Sequence, residues 1–174
     1  MKIGFAVLFS GPLFLSGSLA LAQDVKYNYD PTVNFSKYHT YQWVNLSTMH
    51  PDQLIDKQIK ADIDAQLAAK GFTQATGNPD IQVGYQIAVD KEKQWNAWGS
   101  GMRIGGGFGT ATESTINVGT LGIDFFDPAT KSVVWRGIGT KTIDPSGNPQ
   151  KNMERMQKSI AKILKHFPPE LKKG

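Results

Sequence analysis

The sequence predicts an α+β fold, an antiparallel β-sheet with two α-helices packed on one face. Three observations carry that expectation. Residues Ile81 to Val89 alternate strictly, with Ile81, Val83, Tyr85, Ile87 and Val89 apolar, as in a strand with one buried face. Two segments, Pro51 to Lys70 and the stretch after Asn148-Pro149, place apolar residues at helical spacing. The 174 residues, less an N-terminal leader, leave roughly 150, enough for one core and not two.

The leader is read as residues 1–22. Lys2 precedes an apolar stretch from Ile3 to Leu15, interrupted at Gly11 and Pro12. Ala20-Leu21-Ala22 then supplies the small residues of a signal-peptidase site, so cleavage is expected before Gln23. The glycines and Pro12 hold the uninterrupted apolar runs below the ~20 residues of a membrane span. No later stretch reaches that length, so no transmembrane anchor is expected after cleavage. There is no cysteine, which excludes a disulfide framework, a thiol nucleophile, a Cys-ligated metal and a lipid-modified N-terminal cysteine. The expectation is a free periplasmic protein, residues 23–174 forming one domain.

The elements follow in order. Val25, Tyr27 and Tyr29 alternate with Lys26 and Asn28, a half-buried strand that Asp30-Pro31 ends. Thr40 to Val44, rich in β-branched and aromatic residues, reads as a second strand. In the first helix Ile55, Ile59, Ile63 and Leu67 recur every four residues, and Leu54, Ala61, Ala65 and Ala68 widen the stripe. Asp52 and Asp56 suit its N-terminal dipole and Gly71 its end. The clean strand at Ile81 to Val89 comes next. Residues 95–109 carry Trp95, Trp98, Phe108 and many glycines, and read as a loop or loose hairpin end. Thr115 to Asp127 is a strand whose apolar parity switches at Gly119, which suggests a bulge there. A turn built on Asp127-Pro128 leads to the partner strand Ser132 to Ile143. Within it Gly137 and Gly139 leave room against one face. Asn148 caps the last helix, Pro149 opens it, and Met153, Met156, Ile160, Ile163, Leu164 and Phe167 form its core side. The resulting order is β-β-α-β-β-β-α, a two-layer sandwich.

Three groups of residues bear a family resemblance in their order and spacing. They are Asp30-Pro31 with Phe35 to Trp43; Gly119 to Asp127 with Val133 to Gly137; and Ile163 to Pro169. Together they resemble the domain-of-unknown-function 4136 family of exported bacterial envelope proteins. The resemblance implies an α+β fold and no established activity. Many members of that family carry a lipoprotein signal, and this chain departs there, having no cysteine for a lipid anchor.

The residues offer little for chemistry. Asp124 and Asp127 lie three apart at a strand end, where side chains alternate faces and do not converge; Asp127 before Pro128 reads as turn-initiating. His39, His50 and His166 lack ligand spacing, so no metal is expected. No G-x-S-x-G or S-x-x-K motif is present. Gly105-Gly106-Gly107 lacks the Lys-Ser/Thr ending of a phosphate loop. No cofactor is expected.

Two features point to binding. Arg155, Lys158, Lys162 and Lys165 fall at i, i+3, i+7 and i+10, one positive stripe opposite the apolar side of the last helix, and Lys172 and Lys173 extend it. Trp95, Trp98 and Phe108 are the anchors a loop would offer a sugar, peptide or protein surface. The plain alternatives are a solvated helix face and aromatics folded back over the sheet. The formal charge of +4 is too mild for a nucleic-acid binder. The functional expectation is a non-catalytic exported binding or accessory protein of the cell envelope, its partner an envelope protein, an anionic lipid or a wall polymer. Alternatives are an envelope hydrolase with a site near the 115–143 hairpin and a structural or stress-related envelope protein. N-terminal sequencing of the protein recovered from the periplasm is expected to begin at Gln23; a retained Met1 would refute the leader.

Overall fold

The central strands are set by their alternation and the two α-helices by their N-caps. The computed structural model describes residues 24–46, 52–97, 111–143 and 147–170, with the backbone alone at 94–97 and 111–114. The elements are β1 (Asp24–Tyr29), a 3-10 turn (Phe35–Lys37), β2 (Thr40–Trp43), α1 (Gln53–Ala69), β3 (Thr73–Gln74), β4 (Ile81–Ala97), β5 (Ala111–Asp127), β6 (Ser132–Ile143) and α2 (Pro149–Leu164).

The strands form one six-stranded sheet in the order β1-β6-β5-β4-β2-β3. Antiparallel pairing runs through β1, β6, β5 and β4. The α+β arrangement and the mostly antiparallel sheet are as expected; at one edge β2 pairs in parallel with both β4 and β3. The cause is connectivity: α1 crosses over between β2 and β4, and a crossover delivers a parallel neighbour. The short β3 and the 3-10 turn were not expected; at two and three residues they are too brief for a periodic signal.

β4 and β5 are longer than the alternation indicates. Trp95 to Ala97, expected in a loop or loose hairpin end, continue β4 and pair opposite Glu113 to Ala111. The two strands thereby outrun the rest of the sheet, since β2 follows β4 only to Val83 and β6 follows β5 only back to Asn117. The expected bulge at Gly119 is also displaced. Gly119 sits in regular register with Val89 and Lys141, and the register shift falls between Phe125 and Phe126. That shift leaves Val133 exposed and puts Val134 in the core.

Both helices lie on one face, as expected. The Tyr85 hydroxyl of β4 donates to Asp56 of α1, and Gly137 of β6 lies directly under Ile163 of α2. The helix starts are fixed locally. Asp52 Oδ1 accepts from the Leu54 amide at 2.8 Å, and Asn148 Oδ1 from the Gln150 amide at 2.8 Å, each satisfying an N–H that the helix leaves orphaned. Gly71 takes φ +85° after α1, a conformation that costs glycine little, and lets the Phe72 amide donate to Leu67.

The core is assembled from Ile59, Ile63 and Leu67 of α1, Ile160, Ile163 and Leu164 of α2, and Val83, Ile123, Phe125 and Trp135 of the sheet. At its centre is Phe167, just past α2, fully buried. It stacks on Phe125 at 3.8 Å between centroids and 7° between planes. Trp135 meets it at 5.3 Å, Phe72 at 5.5 Å and Phe35 edge-on at 6.2 Å. Truncation of Phe167 to Ala is expected to lower unfolding stability by about 3–5 kcal/mol, the usual cost of deleting a buried ring, read by urea denaturation.

Candidate functional site

On α2 the apolar stripe turns inward from Met156 onward, while Met153, expected in the core, is 47% exposed. Arg155, Lys158, Lys162 and Lys165 are all exposed on the opposite side. The structure adds a fifth cation that helical spacing does not reveal. Lys141 of β6 points to the helix face of the sheet beside α2. Burial pushes its pKa below the ordinary lysine value, and the positive charges of Arg155, Lys162 and Lys158 push it the same way. Lys165, at the C-terminal end of α2, is not among the charges acting on it. Among the described residues no ion pair joins Lys141, Arg155, Lys158 or Lys162 to a carboxylate.

Beside this basic face a cleft opens between α1, α2 and the end of the sheet, with a volume of about 270 Å³. Ile87, Leu121 and Gly139, neighbours in register, form part of its floor. Ile59 and Met156 line it from the two helices. Ile55, Val89 and Ile143, which are 41%, 59% and 37% exposed, also line it, together with Lys141 and Arg155. Ile55 belongs to the apolar stripe expected in the core; in the structure it lies at the cleft instead, while its neighbour Leu54 is 74% exposed.

The cleft has a sequence cause. Along β6 the helix face carries Trp135, Gly137, Gly139 and Lys141. The space above Gly137 is taken, because a Cβ there would collide with the Trp135 ring and with Ile163. Gly139 and its diagonal neighbour Gly119 also lack side chains and line the cleft, although a Cβ at Gly119 would press on the Ile143 side chain. One end of the sheet is filled by the Phe125–Trp135–Phe167 stack and the other is left unfilled.

The acidic residues of the hairpin are held by structural partners. Arg136, directly opposite Asp124, grips it through Nε and Nη2, the latter at 2.8 Å. Asp127 closes its turn by accepting from the Ala129 amide at 2.8 Å, while Tyr38 donates to its other oxygen at 2.9 Å and Lys37 pairs with it at 3.3 Å. Burial raises the Asp127 pKa, but the hydrogen bonds from Tyr38, Ala129, Thr130 and Lys37 outweigh it and hold the carboxyl below its usual value. His166 stacks on Tyr27 at 4.4 Å. Among the described residues no group of three His, Asp or Glu side chains is placed to hold a metal. Sequence reasoning missed the tyrosine clamps on α1: Tyr41 and Trp43 both donate to Asp64, at 2.6 and 3.0 Å. Strand parity and the spacing of Asp56 and Asp64 were the available signals. Trp98, Phe108 and the side chain of Trp95 lie outside the described residues.

The profile described as Domain of unknown function (DUF4136) matches residues 25–169. The chain belongs to that family. No functionally curated protein matches this family member. Among solved structures, it is similar to a PDZ domain protein from Parabacteroides distasonis, with TM-score 0.57 and 14% identity over 85% of this chain and 36% of that one. It thus spans about a third of that protein, and the likeness is one of fold. It is also similar to the PelC dodecamer from Paraburkholderia phytofirmans, with TM-score 0.48 and 16% identity over 82% of this chain and 95% of that one. No described helix of the family member is long and apolar enough to cross a membrane.

Asp127 carries the clearest pH signature of the region. Its folded pKa lies below the unfolded value, so its contribution is present at neutral pH and is lost as acid protonates it. Asp127→Asn is expected to cost about 1–2 kcal/mol at pH 7, and the gap from wild type to close as the pH falls through the carboxylate range, read by urea denaturation across pH.

Proposed function

We propose that this family member is an exported, periplasmic, non-catalytic binding or accessory protein of the bacterial cell envelope, and that it binds through the cleft and the basic face beside it. The observation that carries the reading is the cleft itself, an apolar cavity between helices and sheet that opens beside cations with no carboxylate partner among the described residues. Small-molecule sites have this character, a largely apolar hollow with a few placed polar groups. The leader pattern of residues 1–22 supports export. The basic face supports an anionic envelope component as partner, because clustered cations steer anions and penalise like charge.

A hydrolase at the 115–143 hairpin finds less support. Acid–base catalysis needs two titratable groups that can reach a substrate. Asp124 is held in a two-point grip by Arg136, and Asp127 is spent on its turn, on Tyr38 and on Lys37.

The chain from Gln23 onward, immobilised and exposed to envelope lipid and wall-polymer fractions, is expected to retain anionic material at low salt and to release it at high salt. Replacing Arg155, Lys158, Lys162 and Lys165 with Gln should reduce retention at least tenfold. Retention indifferent to both salt and charge removal would sink the reading.

A further inference from the structure

The binding reading leaves the ligand unnamed, and the cleft narrows it. We propose that the cleft takes a single-chain anionic amphiphile, a fatty-acid-like molecule whose chain lies between the helices and the sheet and whose carboxylate meets Lys141 and Arg155. This inference rests on the binding reading above and deepens it.

Four observations converge. The first is the chemistry of the interior. Ile59, Ile87, Leu121 and Met156 line it, and Ser159, the polar residue deepest on α2, already donates its hydroxyl to the Arg155 carbonyl at 2.8 Å. An apolar chain matches that lining; a sugar or peptide would leave polar groups unpaired. The second is size. At about 270 Å³ the cleft lies just below the ~300–1,000 Å³ of typical small-molecule sites, which suits one medium-length chain and not the paired chains of a phospholipid.

The third is the opening. Three large apolar side chains there are exposed, and they come from three different elements: Ile55 from α1, Val89 from β4 and Ile143 from β6. Scattered exposed apolar residues are ordinary, but a set gathered around one cavity marks a ligand entrance. The fourth is charge. Lys141 and Arg155 line the same cleft, and Lys158 and Lys162 add to the field at Lys141. Among the described residues none of the four has a carboxylate partner, so an anionic head would meet unneutralised cations at the end of an apolar slot. The pKa of Lys141 is lowered first by burial and then by these neighbouring positive charges.

The test is calorimetric titration of the chain from Gln23 onward, which carries every described element, with decanoate, decanol and decyltrimethylammonium, each kept below its aggregation concentration. Decanoate is expected to bind one to one, at least tenfold tighter than decanol, with no binding of the cation. Across hexanoate, octanoate and decanoate, affinity should rise by up to about fourfold per methylene, the factor for burying one CH₂. The double variant Lys141→Gln/Arg155→Gln, altered only at the rim, should weaken decanoate about tenfold and leave decanol unchanged. Met156→Trp, which fills the cleft, should abolish binding of both, with thermal unfolding confirming that it folds. Equal affinity for decanoate and decanol would overturn the anionic head while leaving a binding cleft. Binding to anionic phospholipid vesicles that survives Met156→Trp, with no binding of free decanoate, would overturn the inference in favour of a membrane surface. Absence of any chain binding alongside salt-sensitive retention of envelope material would overturn the inference and spare the broader reading. Absence of both would overturn the two together.

Discussion

The face-to-face contact of Phe167 with Phe125 is the constraint from which the rest of the arrangement follows. Phe167 lies three residues beyond α2, and Phe125 sits in the middle of the sheet. Their stacking, with Trp135, Phe72 and Phe35 around them, ties the end of the last helix to the sheet centre. The Trp135 indole adds a donor bond to the His166 carbonyl at 3.2 Å, so the chain at this point is held by polar contact as well as by area. Aromatic contacts of this kind contribute beyond their burial. With one end of α2 fixed there, its N-terminal half must pass over the glycine end of β5 and β6, and the space beneath that half becomes the cleft.

How much of this was legible in the sequence depends on whether the signal is local. The cap at Asn148-Pro149 and the alternation of Ile81 to Val89 involve neighbours in the chain, and both were readable. The basic stripe was readable for the same reason, because helical spacing brings Arg155, Lys158, Lys162 and Lys165 to one side. The parallel edge was not, since the pairing of β2 with β4 depends on where α1 carries the chain and not on the residues of either strand. The glycines after Trp98 masked the strand character of Trp95 to Ala97. Lys141 and the cleft escaped because they exist only through register: Lys141 opposite Gly119, Gly119 opposite Val89 and Gly139 opposite Leu121. Sequence reading did note that Gly137 and Gly139 leave room. Only packing distinguishes them, the first filled by Trp135 and Ile163 and the second facing the cleft.

The charges divide along similar lines. Asp124, Asp127, Asp56 and Asp64 each have a partner that serves the fold: Arg136 across a strand pair, Tyr38 and Lys37 at a turn, and the tyrosines that fasten α1 to the sheet. Buried acids of this kind are tolerated because they are paired and hydrogen-bonded. Among the buried acids Asp62 is the exception, with Gln58 donating to one oxygen at 2.9 Å and no partner among the described residues for the other. Arg155, Lys158 and Lys162 of α2 have no carboxylate partner among the described residues, and the exposed cations of α2 face outward.

The sheet order also dictates the sequence of events in folding. Among the described residues β1 is the first strand and pairs only with β6, from Asp24 opposite Thr140 to Tyr29 opposite Trp135, and Tyr27 stacks on His166 still nearer the C-terminus. A nascent chain emerging N-terminus first therefore holds β1 without a partner until nearly all of its length is available. The β5–β6 hairpin closes through a four-residue turn between Asp127 and Ser132 and has the lowest loop-closure cost, so pairings of such short range form early and the long-range closure of β1 comes late. The native sheet is completed by its oldest strand, and a chain released before β6 is made has no way to finish it.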